Sequence, residues 1–279
     1  MNGIQDFTYI TYERGTYRRV TEAVPSERFL RIHVNGLEMA TVMCSPVEPE
    51  SLAFGFLRSE GVIQGMNDVR QWVVCPSGTC VDVWLHRADF EPPTRLIITS
   101  GCGGGITFDD LAERAQPLDS TRSATPTQVM RLLQALQKSA LLYHEARGIH
   151  TSGLADGEHL LLVAQDVGRH NTIDRLWGKC LLHGQSPADL ILLSTGRISS
   201  EMLNKAAKMR VPIVASRTSP TALSIELARA WNVTLIGYVR GDSLRVYSAP
   251  QRLQLPALAD VPTADWVAPD AVRANEPSP

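Results

Sequence analysis

Cys102 sits in the run Ser100-Gly101-Cys102-Gly103-Gly104-Gly105, with a glycine on either side. No neighbouring side chain shields its thiol, and glycine leaves the backbone free to turn N–H groups toward an anion. Such a loop stabilises a thiolate, and the helix expected after Thr107 would bring a partly positive N-terminus close by. Cysteine reactivity follows thiolate fraction and exposure, which makes Cys102 the first candidate nucleophile. Spacing alone leaves a second reading open, a small buried residue at the end of the expected core strand Leu96 to Thr99. The run is not a dinucleotide-binding fingerprint, because a third glycine is missing at the required spacing.

The other cysteines read differently. Cys75 and Cys80 flank Pro76-Ser77-Gly78-Thr79 and could supply half of a zinc site, yet no second Cys/His pair stands at ligand spacing. Packing within a hairpin is the better reading of that pair. Cys44 and Cys180 lie beside apolar segments and read as core. Gln165-Asp166-Val167-Gly168-Arg169-His170-Asn171 follows a buried strand and precedes a helix, the place where α/β proteins hold ligands. Ser194-Thr195-Gly196-Arg197 and Ser216-Arg217-Thr218-Ser219-Pro220 end strands in the same way. Helix capping would explain any one of them, whereas three together on one sheet edge favour a ligand crevice. Arg240-Gly241-Asp242-Ser243 fits a tight hairpin turn, and Arg240 could also grip a phosphate with both arms of its guanidinium.

The elements that must position these residues follow from periodicity. Phe29 to Met43 alternates apolar and polar residues around Asn35-Gly36, predicting a β-hairpin. Ser45-Pro46-x-Glu48 resembles a helix start, with Leu52, Phe56 and Leu57 on its apolar face and Gly61 at its end. Gln71 to His86 predicts a second hairpin. Thr125-Pro126-x-Gln128 opens a helix expected to run to about Arg147, with Val129, Leu132, Leu133, Leu136, Ala140 and Tyr143 on one face. Beyond Thr151, strands at Leu160 to Ala164, Leu190 to Ser194, Pro212 to Ser216 and Thr234 to Val239 alternate with helices near Thr172 to His183, Ser200 to Arg210 and Thr221 to Asn232. That alternation predicts a layered α/β domain. The expected division is an N-terminal α+β domain over 1–118, an α/β domain over 119–255 joined through a linker around Gln116 to Thr125, and a tail over 256–279 without periodicity.

Composition narrows the function. The 279 residues are 44% apolar and 20% charged, typical of a chain with a sizeable core. A formal charge of -2 gives no case for non-specific binding to nucleic acid or an acidic membrane surface, so an anionic ligand must be held locally. The N-terminal residues lack an apolar signal region and no apolar run is long enough to span a bilayer, so the expected location is the cytoplasm. Five scattered cysteines do not make a secreted disulfide framework.

Taken together, these segments resemble the FdhD family, accessory sulfurtransferases of formate dehydrogenase maturation. The resemblance is carried by Val34-Asn35-Gly36, Cys44-Ser45-Pro46, the stretch from Leu52 to Gly61, Thr99-Ser100-Gly101-Cys102-Gly103, Asp166 to Asn171, Gly196 to Glu201, Ser219-Pro220-Thr221 and Leu235 to Arg240. It implies a small N-terminal domain plus a cytidine-deaminase-like C-terminal domain, usually in a homodimer. It implies that Cys102 bears a persulfide loaded by a cysteine desulfurase. That sulfur would pass to a molybdenum bis-molybdopterin guanine dinucleotide cofactor before the cofactor enters formate dehydrogenase. Tyr238, Val239, Arg240, Gly241, Asp242 and Ser243 match the segment that contacts that cofactor, and Arg169, His170 and Arg197 would help to cradle its phosphates. No metal of the chain's own is expected, since the His-x-Glu and Pro-Cys-x-x-Cys elements of zinc deaminases are absent. Many family members carry Cys-x-x-Cys in the loop, whereas here Gly105 stands three residues after Cys102. A single sulfur suffices to receive and release a sulfane sulfur. A cofactor-binding chaperone without sulfur chemistry is the alternative, and a thiol hydrolase using Cys102, His170 and Asn171 is a third reading without a local signature.

Overall fold

The computed structural model describes residues 3–90 and 116–255. Cys102 with its glycine loop, the expected strand Leu96 to Thr99 and the tail 256–279 lie outside the described residues. The chain opens on a long hairpin, β1 (Ile4–Glu13) and β2 (Thr16–Pro25), turned by Arg14 and Gly15 at positive φ. Sequence reading missed it, because Phe7, Ile10, Tyr12 and Tyr17 are exposed and no buried face imposes an apolar alternation.

The predicted Asn35-Gly36 hairpin is β3 (Arg28–Val34) and β4 (Leu37–Cys44), with both turn residues at positive φ as a two-residue hairpin loop requires. The second hairpin is β5 (Val69–Val74) and β6 (Cys80–Leu85). β6 pairs in parallel with β3, giving a four-stranded sheet of order β4-β3-β6-β5. Leu30 and Ile32 of β3 and Val81 and Val83 of β6 pack with Leu52, Phe56 and Leu57 of helix α1 (Pro49–Ser59). That helix starts three residues later than Ser45-Pro46-x-Glu48 suggests. Ser45 is buried and occupied elsewhere, its amide donating to Asp166 and its hydroxyl accepting from the Val167 amide. Glu48, at φ 42, becomes the N-cap, with a proline in the first turn.

Thr125 and Gln128 form the predicted capping box of α2 (Pro126–Lys138). The helix does not continue to Arg147. Ser139 turns its hydroxyl back to the Leu136 carbonyl at 2.8 Å, and Ala140 leaves helical geometry at ψ 65 to enter the core. A short α3 (Leu141–Ala146) follows, and Tyr143 is only half-buried.

The remaining elements are β7 (His150–Ala155), β8 (Leu160–Asp166), α4 (Arg169–Leu182), β9 (Ile191–Ser194), α5 (Ser200–Lys208), β10 (Ile213–Ser216), α6 (Ala222–Ala230), β11 (Thr234–Arg240) and β12 (Ser243–Ser248). They build a six-stranded mixed sheet of order β12-β11-β10-β9-β7-β8. β7 escaped the sequence reading, since His-Thr-Ser-Gly offers no apolar pattern. Leu154, Leu192, Val214 and Leu235 point to one face, against Leu176, Trp177, Met202, Leu203, Leu227 and Trp231. Ile191, Leu193, Ile213, Ala215 and Ile236 point to the other, against Val129, Leu132, Leu133 and Leu136 of α2. The central strands are therefore apolar throughout, as strands covered on both faces must be. The α/β class expected from the sequence is observed. Leu118, in the expected linker, already packs into this core. No helix among the described residues is long and apolar enough to cross a membrane.

The two sheets are joined where α1 crosses α4. Seven consecutive residues, Ser51 to Leu57, are buried because α1 lies between the four-stranded sheet and α4. Contact is close enough that a Cβ at Gly55 would lie 1.7 Å from the Asp174 carbonyl oxygen, and one at Gly178 1.8 Å from that of Ser51. A methyl group there forces the backbones apart. Gly178→Ala is expected to cost at least about 2 kcal/mol in urea unfolding. Gly65→Ala, where a Cβ meets nothing within 4 Å, should stay within about 0.5 kcal/mol of the parent.

Candidate functional site

Strand direction sets the site. β9, β10 and β11 run parallel, and β7 is antiparallel to both β8 and β9, so β8 points the same way as the other three. The carboxyl ends at Asp166, Ser194, Ser216 and Arg240 thus share one edge, joined there by the start of β7 at His150. This is the edge where ligands of α/β proteins bind.

Asp166 and Arg175 are both fully buried and form the framework of this edge. Arg175 donates to Asp166 Oδ2 from Nε at 2.9 Å and Nη2 at 2.6 Å, and to the carbonyls of Ser45 at 2.7 Å, Glu48 at 2.9 Å and Val47. The other carboxylate oxygen accepts from the Gly168 amide at 2.8 Å and Asn171 Nδ2 at 2.9 Å. Asn171 also donates to the Met43 carbonyl. Cys44-Ser45-Pro46 and Asp166 to Asn171, distant in the sequence, are thereby clamped together. Asp166 and Asn171 hold the edge rather than a ligand.

Around that clamp the arginines fall into two groups. Arg169 packs over Gly196, where a Cβ would meet the Arg169 side chain at 3.1 Å and His150 Nδ1 at 3.2 Å. Arg169 Nε is buried without a hydrogen-bond partner among the described residues. Arg197 is exposed at the neighbouring strand end. Burial, followed by the charges of Arg169 and Arg197, lowers the His150 pKa. His170 Nε2 lies 3.0 Å from Ser199 Oγ and 3.5 Å from Glu201. Glu201 is 40% exposed and the imidazole 6%, so burial prevails, aided by Arg169, Lys205 and His150, and brings His170 down to about 3. His170 is therefore neutral and adds no positive charge.

The second group surrounds Tyr238. This half-buried residue sits at φ 52, its amide donating to the Thr218 carbonyl, and its ring carries Arg245 at 4.2 Å and Arg240 at 5.7 Å. Arg240 donates from Nε to the Arg217 carbonyl at 3.2 Å, which places Arg217 beside it. Val239 is buried; Gly241, at φ 56, turns the hairpin into β12; and Asp242 and Ser243 are exposed. A left-handed non-glycine residue costs about 1–3 kcal/mol and is commonly met at ligand sites. His150, Arg217 and Arg245 were missing from the residues singled out by sequence. Arg217 stood in a noted strand end, whereas Arg245 and His150 reach the edge only through the registers of β12 and β7.

The arrangement suits an anion that also offers a flat ring. Guanidinium forks match phosphate oxygens, and Tyr238 supplies an aromatic surface. Among the described residues, no three His, Cys, Asp or Glu side chains converge as metal ligands. Cys44 and Cys180 are buried, as expected of core residues, and burial pushes their thiols up to about 12 and about 11.

Fold and edge together define an α/β protein with an arginine-lined rim at its strand ends, and similarity to known proteins makes the class specific. The FdhD/NarQ family model matches residues 25–254. The sulfur carrier protein FdhD of Bacillus pumilus (strain SAFR-032) is 38% identical over 248 residues, covering 87% of this chain and 94% of the relative. That of Bacillus subtilis (strain 168) is 37% identical, covering 87% and 95%. A crystal structure from Desulfotalea psychrophila, provisionally described as a formate dehydrogenase accessory protein, superposes with a TM-score of 0.76 at 26% identity, covering 90% of this chain and all of that one. The chain belongs to the FdhD/NarQ family.

The neutral histidines give the edge a pH signature. With His170 at about 3 in the native protein against an ordinary 6.5, the unfolded chain binds more protons between those values. Stability therefore rises with pH across that window and is lost as pH falls from about 6.5 toward 3. His170→Gln should flatten the wild-type dependence by up to about 1.4 kcal/mol per pH unit, measured by urea unfolding at pH 7 and pH 5.

Proposed function

We propose that this chain is a cytoplasmic sulfur carrier of formate dehydrogenase maturation. In this reading Cys102 takes a sulfane sulfur from the persulfide of a cysteine desulfurase. The thiolate attacks the outer sulfur, the S–S bond of the donor breaks, and the desulfurase thiolate leaves. The transfer needs no net oxidation and no second thiol, so Gly105 does not block it. The persulfide sulfur then passes to a molybdenum bis-molybdopterin guanine dinucleotide held at the arginine edge, before that cofactor enters formate dehydrogenase. Sulfurtransferase is the matching enzyme class, and a homodimer is the proposed working form.

The observation that carries the reading is the row of arginines along the strand ends, Arg240 and Arg245 over the Tyr238 ring and Arg169 and Arg197 at Gly196. A guanine dinucleotide offers a pyrophosphate for Arg217 and Arg240 and a base for the Tyr238 region, while Arg169 and Arg197 serve the far side of the same ligand. The name of the relatives, sulfur carrier protein, supports the sulfur chemistry, and the description of the Desulfotalea protein supports the client enzyme.

Incubation with a cysteine desulfurase and cysteine tests the first half. The wild type should gain one reducible sulfur on the tryptic peptide that follows Arg95 and contains Cys102, and Cys102→Ala should gain none there. Absence of sulfur on that peptide, with an active desulfurase, would leave the cofactor chaperone as the reading. Arg217→Ala and Arg240→Ala test the second half. Each should weaken GDP binding by roughly ten-fold or more in calorimetry at fixed salt, since each removes a charge-assisted contact. Unchanged affinity in both would remove the ligand from this edge.

A further inference from the structure

We propose that Cys75 and Cys80 form a second sulfur centre, in which Cys75 attacks low-molecular-weight disulfides and Cys80 resolves the product into a disulfide within the hairpin. The proposal goes beyond sulfur transfer at Cys102 and does not depend on it. The two residues face each other where β5 ends and β6 begins, the Cys75 amide donating to the Cys80 carbonyl at 3.1 Å. Residues opposed on antiparallel strands have Cα atoms about 4.5–5.5 Å apart, inside the roughly 4.4–6.8 Å range that a disulfide bridges.

The loop between them gathers donors around one sulfur. Gly78, at φ 67, turns the chain so that its amide donates to the Cys75 carbonyl at 2.8 Å. The Cys80 amide is thereby directed to Cys75 Sγ instead, at 2.9 Å. Ser77 Oγ lies 3.2 Å and Thr79 Oγ1 3.9 Å from the same sulfur. Both cysteines are partly exposed, unlike the buried Cys44 and Cys180. Desolvation alone would raise the Cys75 thiol; the hydrogen bonds from Cys80, Ser77 and Thr79 outweigh it and bring it down to about 6. Burial, the hydrogen bond to Cys75 and the adjacent negative charge push Cys80 up to about 11. One residue of the pair is thus a thiolate at neutral pH, and the other keeps its proton.

The chemistry balances with a disulfide RS–SR as oxidant. The Cys75 thiolate attacks one sulfur, the RS–SR bond breaks, and RS⁻ leaves to be protonated by solvent. Cys80 then gives up its proton and attacks Cys75 Sγ, releasing the second RS⁻, which takes up that proton. The two thiols lose two electrons and RS–SR becomes two RSH; a dithiol reductant reverses both steps.

The test uses the full chain carrying Cys102→Ser. Both cysteines lie on one tryptic peptide, 71–87, because no Lys or Arg separates Arg70 from Arg87. After oxidised glutathione at pH 7, that peptide should lose two hydrogens and resist alkylation until dithiothreitol is added. With Cys80→Ser added, Cys75 should accumulate one glutathione. With Cys75→Ser added, Cys80 should react at least about ten-fold more slowly. Equal adduct formation on both cysteines, a lasting adduct on Cys75 while Cys80 is present, or no reaction at all would overturn the proposal. If a serine variant fails to fold, iodoacetamide labelling of the Cys102→Ser chain against pH decides alone: half-maximal rate near pH 6 upholds a thiolate at Cys75, and a midpoint above pH 8 removes it.

Discussion

The buried ion pair between Asp166 and Arg175 is the interaction on which the remaining geometry depends. Taking two charges out of water costs several kcal/mol per ion, and attraction between them offsets that only when the other hydrogen-bonding positions are filled. Here they are filled. Asp166 accepts from the Ser45 and Gly168 amides and from Asn171, and Arg175 reaches the carbonyls of Ser45, Val47 and Glu48. Every one of those partners belongs either to the strand-end turn and first turn of α4 or to the connection between β4 and α1. The pair therefore does more than close a core: it registers the start of α1 against the strand-end edge of the six-stranded sheet.

That registration continues along the helices. Gly55 and Gly178 let the backbones of α1 and α4 meet without side chains between them. One turn before Gly178, Asp174 forms a buried pair with Lys205 of α5 at 2.5 Å, and Lys208 donates to the Ser59 carbonyl at the end of α1. Three helices are thus tied by polar contacts within apolar packing. A displacement of α1 would be felt at the N-terminus of α4, where Arg169 and His170 sit, because a close-packed helix moves as a unit.

Much of this was legible in the sequence because local rules and tertiary needs agreed there. Asn35-Gly36 demanded a hairpin and Thr125 with Gln128 demanded a helix start; both were found. The apolar runs of β9, β10 and β11 announced strands covered on both faces. Errors arose where tertiary contacts overrode local signals. Ser45 looks like a helix cap, but its amide and hydroxyl serve Asp166 and Val167. The β1–β2 hairpin has no buried face to write a pattern, and β7 is built from His, Thr, Ser and Gly. At the site, the strand-end segments could be named, but the placement of Arg240 and Arg245 over the Tyr238 ring, with Arg240 bonded to the Arg217 carbonyl, required registers that composition does not encode. Conversely, His170, expected with Arg169 and Arg197 to help cradle phosphates, is held neutral by burial.

The neutrality of His170 bears on the charge of the edge. Of its acidic groups, Asp166 is fully engaged by Arg175, and Asp242 stands exposed at the hairpin turn. Guanidinium groups remain charged across the range in which proteins are handled. Burial lowers the His150 pKa, and His170 is held uncharged down to about pH 3. The positive character of the rim is therefore fixed rather than titrated near neutrality. Capture of the anionic ligand proposed for this edge would therefore not depend on protonation of His170 near neutrality. His170 offers no protonation switch there, because it is already uncharged well below neutral pH.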